Sequence, residues 1–219
     1  MIRLCMFDLD GTLSNTLESI AFFGNQALKQ CGYPTIESVD AFRYLVGHGA
    51  DTLMRGMLKT VTGSFSEEAV KKLRHAYDQV YEQNPMHLVK EYDGIWELLD
   101  QLQRRKILLA VLSNKPDKVA KQVVAQLFAG IPFARCYGQR PGVERKPSPQ
   151  GAQLIAQELG IPIIQCLYVG DTDVDMKTGK SAGMRTIGVG WGFREEEELW
   201  KNGADDVIAH PLELLDYCD

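Results

Sequence analysis

The sequence is poor in the features that mark disulfide-built, membrane-spanning or nucleic-acid-binding chains. It has only five cysteines in 219 residues (Cys5, Cys31, Cys136, Cys166 and Cys218). They are odd in number, scattered and never spaced C-x-x-C, so neither a disulfide framework nor a zinc site is indicated. Small buried hydrophobes in a reducing compartment are expected instead. No apolar stretch approaches the roughly 18 residues of a membrane span. The N-terminus runs directly into a strand pattern without the regions of a signal peptide, so a cytoplasmic location is expected. Long basic runs are missing, and 24 Lys+Arg against 29 Asp+Glu give a net charge of −5. A nucleic-acid backbone is therefore not the expected partner. Internal repeats and low-complexity segments are absent as well.

What is present is a globular composition, 45% hydrophobic, 24% charged and 9% aromatic. The length suits one large domain, or a core with a smaller partner. An acidic chain that handles an anionic substrate must concentrate its positive charge locally, in a metal ion or a few placed lysines.

From about residue 90 onward, strand-like runs alternate with helical patterns. DGIWELLDQLQRRK (93–106) repeats apolar residues at helical spacing, and ILLAVLSN (107–114) is a short continuous run of the kind buried on both faces of a sheet. A helix follows with Pro116 at its start. A strand is expected around 133–137, then a Pro-rich loop RPGVERKPSP (140–149), then a helix closing on Gly160. QCLYVGD, RTIGVG and DDVIA supply three further strands, and Glu195–Glu198 opens a helix whose dipole favours acidic residues. This alternation predicts an α/β fold, a parallel sheet with helices on both faces. Residues 14–85 differ, reading as four helices (16–32, 38–47, 50–63 and 64–85) without a convincing strand. Ser64 and Glu67 match the capping-box pattern for the last. The organisation expected is a core of residues 1–13 and 86–219, with residues 14–85 inserted after the first strand as a helical cap.

Parallel sheets bind ligands at the carboxyl ends of their strands, and four such ends here carry polar groups. FDLDGT places Asp8 and Asp10 two residues apart, so both face one way while Leu9 turns to the core. Ser113 and Asn114 follow ILLAVL. Lys146 lies in the loop after the next strand. Asp171 and Asp175, in GDTDVD after QCLYV, fall about one helical turn apart if a helix starts near Thr172. Each alone has an ordinary explanation: a turn, a helix cap, a loop lysine, or half of a calcium loop that lacks the full EF-hand spacing. Their joint placement at successive strand ends points to phosphoryl transfer. Asp8 would attack phosphorus to give an aspartyl-phosphate, turning one hard step into two easier ones. Asp10 would protonate the leaving oxygen and later take a proton from the hydrolytic water. Mg²⁺, which prefers oxygen ligands, would be held by Asp8 and Asp171 with the Asp10 carbonyl nearby. Lys146 would add a second positive charge, and Ser113 with neighbouring groups, Asn114 among them, would bind phosphate oxygens.

These motifs resemble those of the haloacid dehalogenase superfamily, specifically its phosphatases with a helical cap after the first motif. The resemblance rests on Asp8 and Asp10 in DLDGT, Ser113 in LLAVLSN, Lys146 in RKPSP, and Asp171 with Asp175 in GDTDVD. It spans almost the whole chain. Within that group the chain is most similar to phosphoglycolate phosphatases, through VGHGADTL (46–53) and GVGWGF (188–193). The resemblance implies a Rossmann-like core, Mg²⁺ with Asp175 as support for the metal, and a small phosphorylated metabolite as substrate. The protein is expected to act without nucleic acid or membrane, as a monomer or homodimer. Relatives often carry an aspartate where this chain has Asn15, in the stretch leading to the cap. His48 and Arg43, with Arg55 behind them, are the cap residues considered for reading the substrate. A sugar phosphomutase, a pyrophosphatase or a nucleotidase on the same fold stays open. A 2-haloacid dehalogenase is disfavoured by Asp10, and a non-catalytic binding protein by the complete set of motifs.

Overall fold

A computed structural model describes residues 1–218. The chain divides into two compact units, residues 1–15 with 91–219, and residues 16–90.

The first unit is built on six parallel strands in the order β5-β4-β1-β6-β7-β8. They are β1 (Leu4–Phe7), β4 (Leu108–Pro116), β5 (Phe133–Gln139), β6 (Cys166–Gly170), β7 (Arg185–Val189) and β8 (Asp206–Ile208). The remaining strands, β2 (Ser14–Asn15) and β3 (Lys90–Glu91), form a separate two-stranded ribbon. Helices α4 (Ile95–Arg104), α5 (Asp117–Leu127), α6 (Gln150–Glu158), α7 (Asp173–Ala182) and α8 (Glu196–Lys201) connect the sheet strands. Central β1 is buried at every position, as the unbroken apolar run LCMF requires, because strands covered on both faces have no polar side to present. Its alternate residues Leu4 and Met6 pack with Ala110, Leu112 and Tyr168 from the flanking strands and with Ala152, Ile155 and Ala156 of α6. Each large side chain so removed from water contributes about 1.5–3 kcal/mol.

Register decides where the polar strand ends meet. Phe7 lies opposite both Val111 of β4 and Val169 of β6. One further step along the three strands reaches Asp8, Leu112 and Gly170, and the next reaches Leu9, Ser113 and Asp171. The ladder continues to that edge, since the Asp8 N–H donates to the Val169 carbonyl at 2.9 Å.

The second unit contains α1 (Leu17–Gln30), α2 (Ala50–Thr62) and α3 (Glu67–Tyr81). Its core is aromatic and methionine-rich. Phe23 meets Tyr81 edge-on at 5.2 Å, Tyr77 stacks on Tyr81 at 5.1 Å, and Phe42, Met54 and Met57 are fully buried. Gly24 permits close packing here, because a Cβ at that position would meet Met57 and Phe42 at 3.0 Å.

Two local expectations need correction. The segment 38–47 holds only a 3₁₀ turn, Asp40–Tyr44, rather than a full helix. The cap of α3 is Ser66, whose hydroxyl accepts from the Ala69 N–H, and not Ser64. Ser66 in an extended conformation meets the same rule two residues later, immediately before Glu67 and Glu68.

Candidate active site

Asp8 follows β1 and is only 5% exposed as a whole residue. Oδ1 accepts from the Leu9 N–H at 2.7 Å and lies 2.9 Å from Lys146 Nζ. The same ammonium donates to Asp175 Oδ1 at 2.7 Å. Asp175 stands in the first turn of α7, where its other oxygen accepts from the Thr172 hydroxyl at 2.7 Å and the Thr172 N–H at 3.1 Å. The capping box of α7 thus fixes the rotamer of Asp175 while leaving one oxygen for Lys146.

Asp171, one residue beyond β6, is fully buried. Its carboxylate accepts from the Thr12 hydroxyl at 2.9 Å and from the Phe193 N–H at 2.8 Å. Two glycines make room for it. A Cβ on Gly11 would fall 2.1 Å from Asp171 Oδ2, and one on Gly192 would fall 2.2 Å from Asp171 Cβ. Gly11 also has φ +88°, a left-handed conformation that side-chain-bearing residues rarely adopt. The segments DGT (10–12) and WGF (191–193) therefore meet around one carboxylate, and the Trp191 indole N–H donates to the Thr12 carbonyl at 3.0 Å.

Oxygens of Asp8, Asp171 and Asp175 all lie within 4.8 Å of one another. Burial, reinforced by Asp175, raises Asp8 from 3.8 to about 7 against the pull of Lys146. Burial, with Asp175 and Asp8 adding to it, also lifts Asp171 well above the usual carboxylate range. For Lys146, burial works downward, but Asp175 and Asp8 outweigh it and hold the ammonium well above its ordinary value. Asp8 and Asp175 thus share the Lys146 ammonium, and Asp171 brings a third acid to the cluster, so the fully ionised set carries more negative than positive charge. An all-oxygen donor set with unneutralised charge is the chemistry that Mg²⁺ takes, so these residues fit that ion.

Asp10 does not join this cluster through its side chain. Both of its carboxylate oxygens lie 2.9 Å from Lys115 Nζ. Ser113 stands near the end of β4, and its hydroxyl accepts from the Lys115 N–H at 3.3 Å. Asn114 accepts from the Lys146 N–H at 2.9 Å and donates to the Lys146 carbonyl at 3.0 Å. Asn114 therefore anchors the backbone that carries Lys146. Sequence reasoning missed Lys115 and Thr12; the first was hidden in SNKP, which reads as the approach to a helix.

His48 and Arg43 belong to the second unit. Arg43 pairs with Asp40 at 3.0 Å within the 3₁₀ turn, and His48 is half-buried on the loop before α2. Arg55 is held by Glu67 through two contacts, 2.8 and 3.1 Å, joining α2 to α3.

A profile of haloacid dehalogenase-like hydrolases matches residues 5–189. The phosphoglycolate phosphatase of Vibrio parahaemolyticus is 30% identical over 218 residues, which cover 98% of this chain and 95% of that one. The phosphoglycolate phosphatase of Pseudomonas putida is 28% identical over 222 residues, 99% of this chain and 79% of its own. Among solved structures, a protein from Lactobacillus delbrueckii subsp. bulgaricus described as a phosphoglycolate phosphatase superposes with a TM-score of 0.90 at 25% identity, covering 99% and 98% of the two chains. CbbY of Rhodobacter sphaeroides, solved with phosphate, shares the fold with a TM-score of 0.82 at 23% identity over 98% and 96%.

Proposed function

The chain belongs to the haloacid dehalogenase-like hydrolases, and from that membership we propose a Mg²⁺-dependent phosphomonoesterase of small metabolites with phosphoglycolate as the favoured substrate. The observation that carries the reading is Asp8, a buried carboxylate at the end of the central strand, 2.9 Å from Lys146 and within 4.8 Å of two further aspartates. Phosphoglycolate as the substrate is supported by relatives of that name covering 98% of the chain at 30% identity.

In this reading Asp8 and Asp171, with the Asp10 carbonyl, hold Mg²⁺, and Asp175 supports the site from behind. When bound, the cation offsets the repulsion between the carboxylates and an incoming phosphate dianion. Lys146 and the Leu9 N–H both engage Oδ1 of Asp8, so Oδ2 is the oxygen that attacks phosphorus. The bond from phosphorus to the ester oxygen breaks as the Asp8 bond forms, and Asp10 gives its proton to the departing oxygen. Water then attacks the aspartyl-phosphate, Asp10 takes the proton, and phosphate leaves. Ser113 already accepts from Lys115 N–H, which leaves its own O–H to donate to a phosphoryl oxygen. The helical segment 14–85 is read as the substrate-reading cap, with His48 and Arg43 as the candidate residues. The five free thiols accord with a cytoplasmic enzyme; among the described residues, no helix is long and apolar enough to cross a membrane.

The test is phosphate release from phosphoglycolate, hexose phosphates, nucleotides and pyrophosphate, with and without Mg²⁺. Strong Mg²⁺-dependent release from phosphoglycolate alone supports the whole reading. Release from another ester keeps the chemistry and replaces the substrate. No release from any ester by the folded protein overturns the phosphatase.

A further inference from the structure

Lys115 is one of two buried lysines at the carboxyl edge of the sheet, and the proposed reaction has not used it. Its side chain is 4% exposed, against 19% for the Asp10 side chain that it meets. Burying an ammonium is costly unless a partner compensates it, and here both Asp10 oxygens lie 2.9 Å from Nζ. The backbone beneath is equally fixed. Lys115 lies within β4, its N–H donates to Ser113, and Gly138 of β5 lets its carbonyl approach so closely that a Cβ on Gly138 would fall 2.6 Å from that oxygen. A rigid, buried donor thus meets both oxygens of a carboxylate at the more open end of the pair.

We propose that Lys115 is a positioning residue that orients the Asp10 carboxylate for the hydrolytic half of the reaction. This rests on the reading above, in which Asp10 accepts the proton of the hydrolytic water. In that step the water oxygen bonds to phosphorus, the bond from Asp8 to phosphorus breaks with its electron pair returning to Asp8, and the water proton passes to Asp10. The base must be an anion aimed at one water, and an ammonium contacting both oxygens removes the rotational freedom that would spoil the aim. The two lysines divide the work: Lys146 serves the carboxylate that becomes phosphorylated, and Lys115 serves the one that does not.

The test compares Lys115→Met, Lys115→Arg and Asp10→Asn on p-nitrophenyl phosphate, whose leaving group departs without a proton, or on the fastest ester of the panel. Steady-state reactions are quenched in acid, and the phosphorylated fraction of intact protein is read by mass. For Lys115→Met, kcat should fall about tenfold or more beyond any fall in kcat/KM, with KM dropping and phosphoprotein accumulating. Lys115→Arg should restore much of kcat, because its planar fork also spans a carboxylate. A lysine that merely supports the fold would instead lower kcat and kcat/KM together without accumulation, and that result overturns the proposal. Accumulation in Asp10→Asn but not in Lys115→Met also overturns it while leaving the reaction intact. Its absence in Asp10→Asn shows that the underlying reading of Asp10 has failed. Lys115→Gln provides the same comparison should the methionine variant not fold.

Discussion

Two groups of ion pairs in the two units have nearly the same geometry and opposite meaning. In the helical unit, Arg55 holds Glu67 at 2.8 Å and Arg74 holds Asp51 at 2.8 Å, with side chains 26–61% exposed. Water screens such pairs, and each contributes at most about 1 kcal/mol. In the sheet unit, Lys146 meets Asp8 at 2.9 Å and Asp175 at 2.7 Å with side chains at most 7% exposed. There the charges are not balanced, since Asp171 adds a third carboxylate to one ammonium. Equal distances thus describe a fastening in one place and a poised excess of negative charge in the other. The contrast shows why burial and charge count, rather than contact length, identify a reactive site.

The largest effect that tests the contrast is on turnover. Asp8→Asn should lower kcat by roughly 10³-fold or more, measured as phosphate release. It should also raise the melting temperature of the metal-free protein, worth roughly 1–2 kcal/mol, because it removes one of three crowded charges. Lys146→Ala should cost about 3–5 kcal/mol in denaturant unfolding, since it leaves buried carboxylates uncompensated. A third expectation concerns pH. Asp8 is raised from 3.8 to about 7 in the folded protein, so the native state holds its proton more tightly than the unfolded chain. The associated stability is fully present below the unfolded value and is lost as pH rises through about 7. The metal-free protein should therefore melt at a lower temperature at pH 8 than at pH 5. Mg²⁺ should restore more at pH 8, where it no longer competes with the proton. The smallest effect is Arg55→Ala, at or below about 1 kcal/mol and weaker still in high salt. A loss as large as that of Lys146→Ala would erase the distinction between the two regions.

Much of the sheet was readable because its signals are local. ILLAVLSN and QCLYVGD are apolar throughout, as strands inside a parallel sheet must be, and the polar residues that end them stand out against that background. Asp8 and Asp171 could be singled out for the same reason. Asp10's partner could not, because no periodicity shows that the lysine of SNKP faces a carboxylate 105 residues away. The bonds of Asn114 to the Lys146 backbone were equally invisible, because the two residues lie 32 apart in sequence and only tertiary structure brings them together. In the helical unit, Ser64 and Ser66 both satisfy the local cap pattern, and backbone conformation chose between them.

The central position of β1 has a consequence for how the protein is made. β1 pairs with the later residues 108–111 on one side and 166–169 on the other, and the Asp171 site is completed only when Phe193 arrives. Such separations slow folding, because chain entropy must be lost before the contacts repay it. At about 5–20 residues per second, LCMF waits several seconds for its first neighbour. A nascent chain in that interval carries an exposed apolar segment and no assembled carboxylate cluster. The carboxylate cluster cannot assemble before Phe193 has been synthesised, and the wait falls on the segment that most needs shelter.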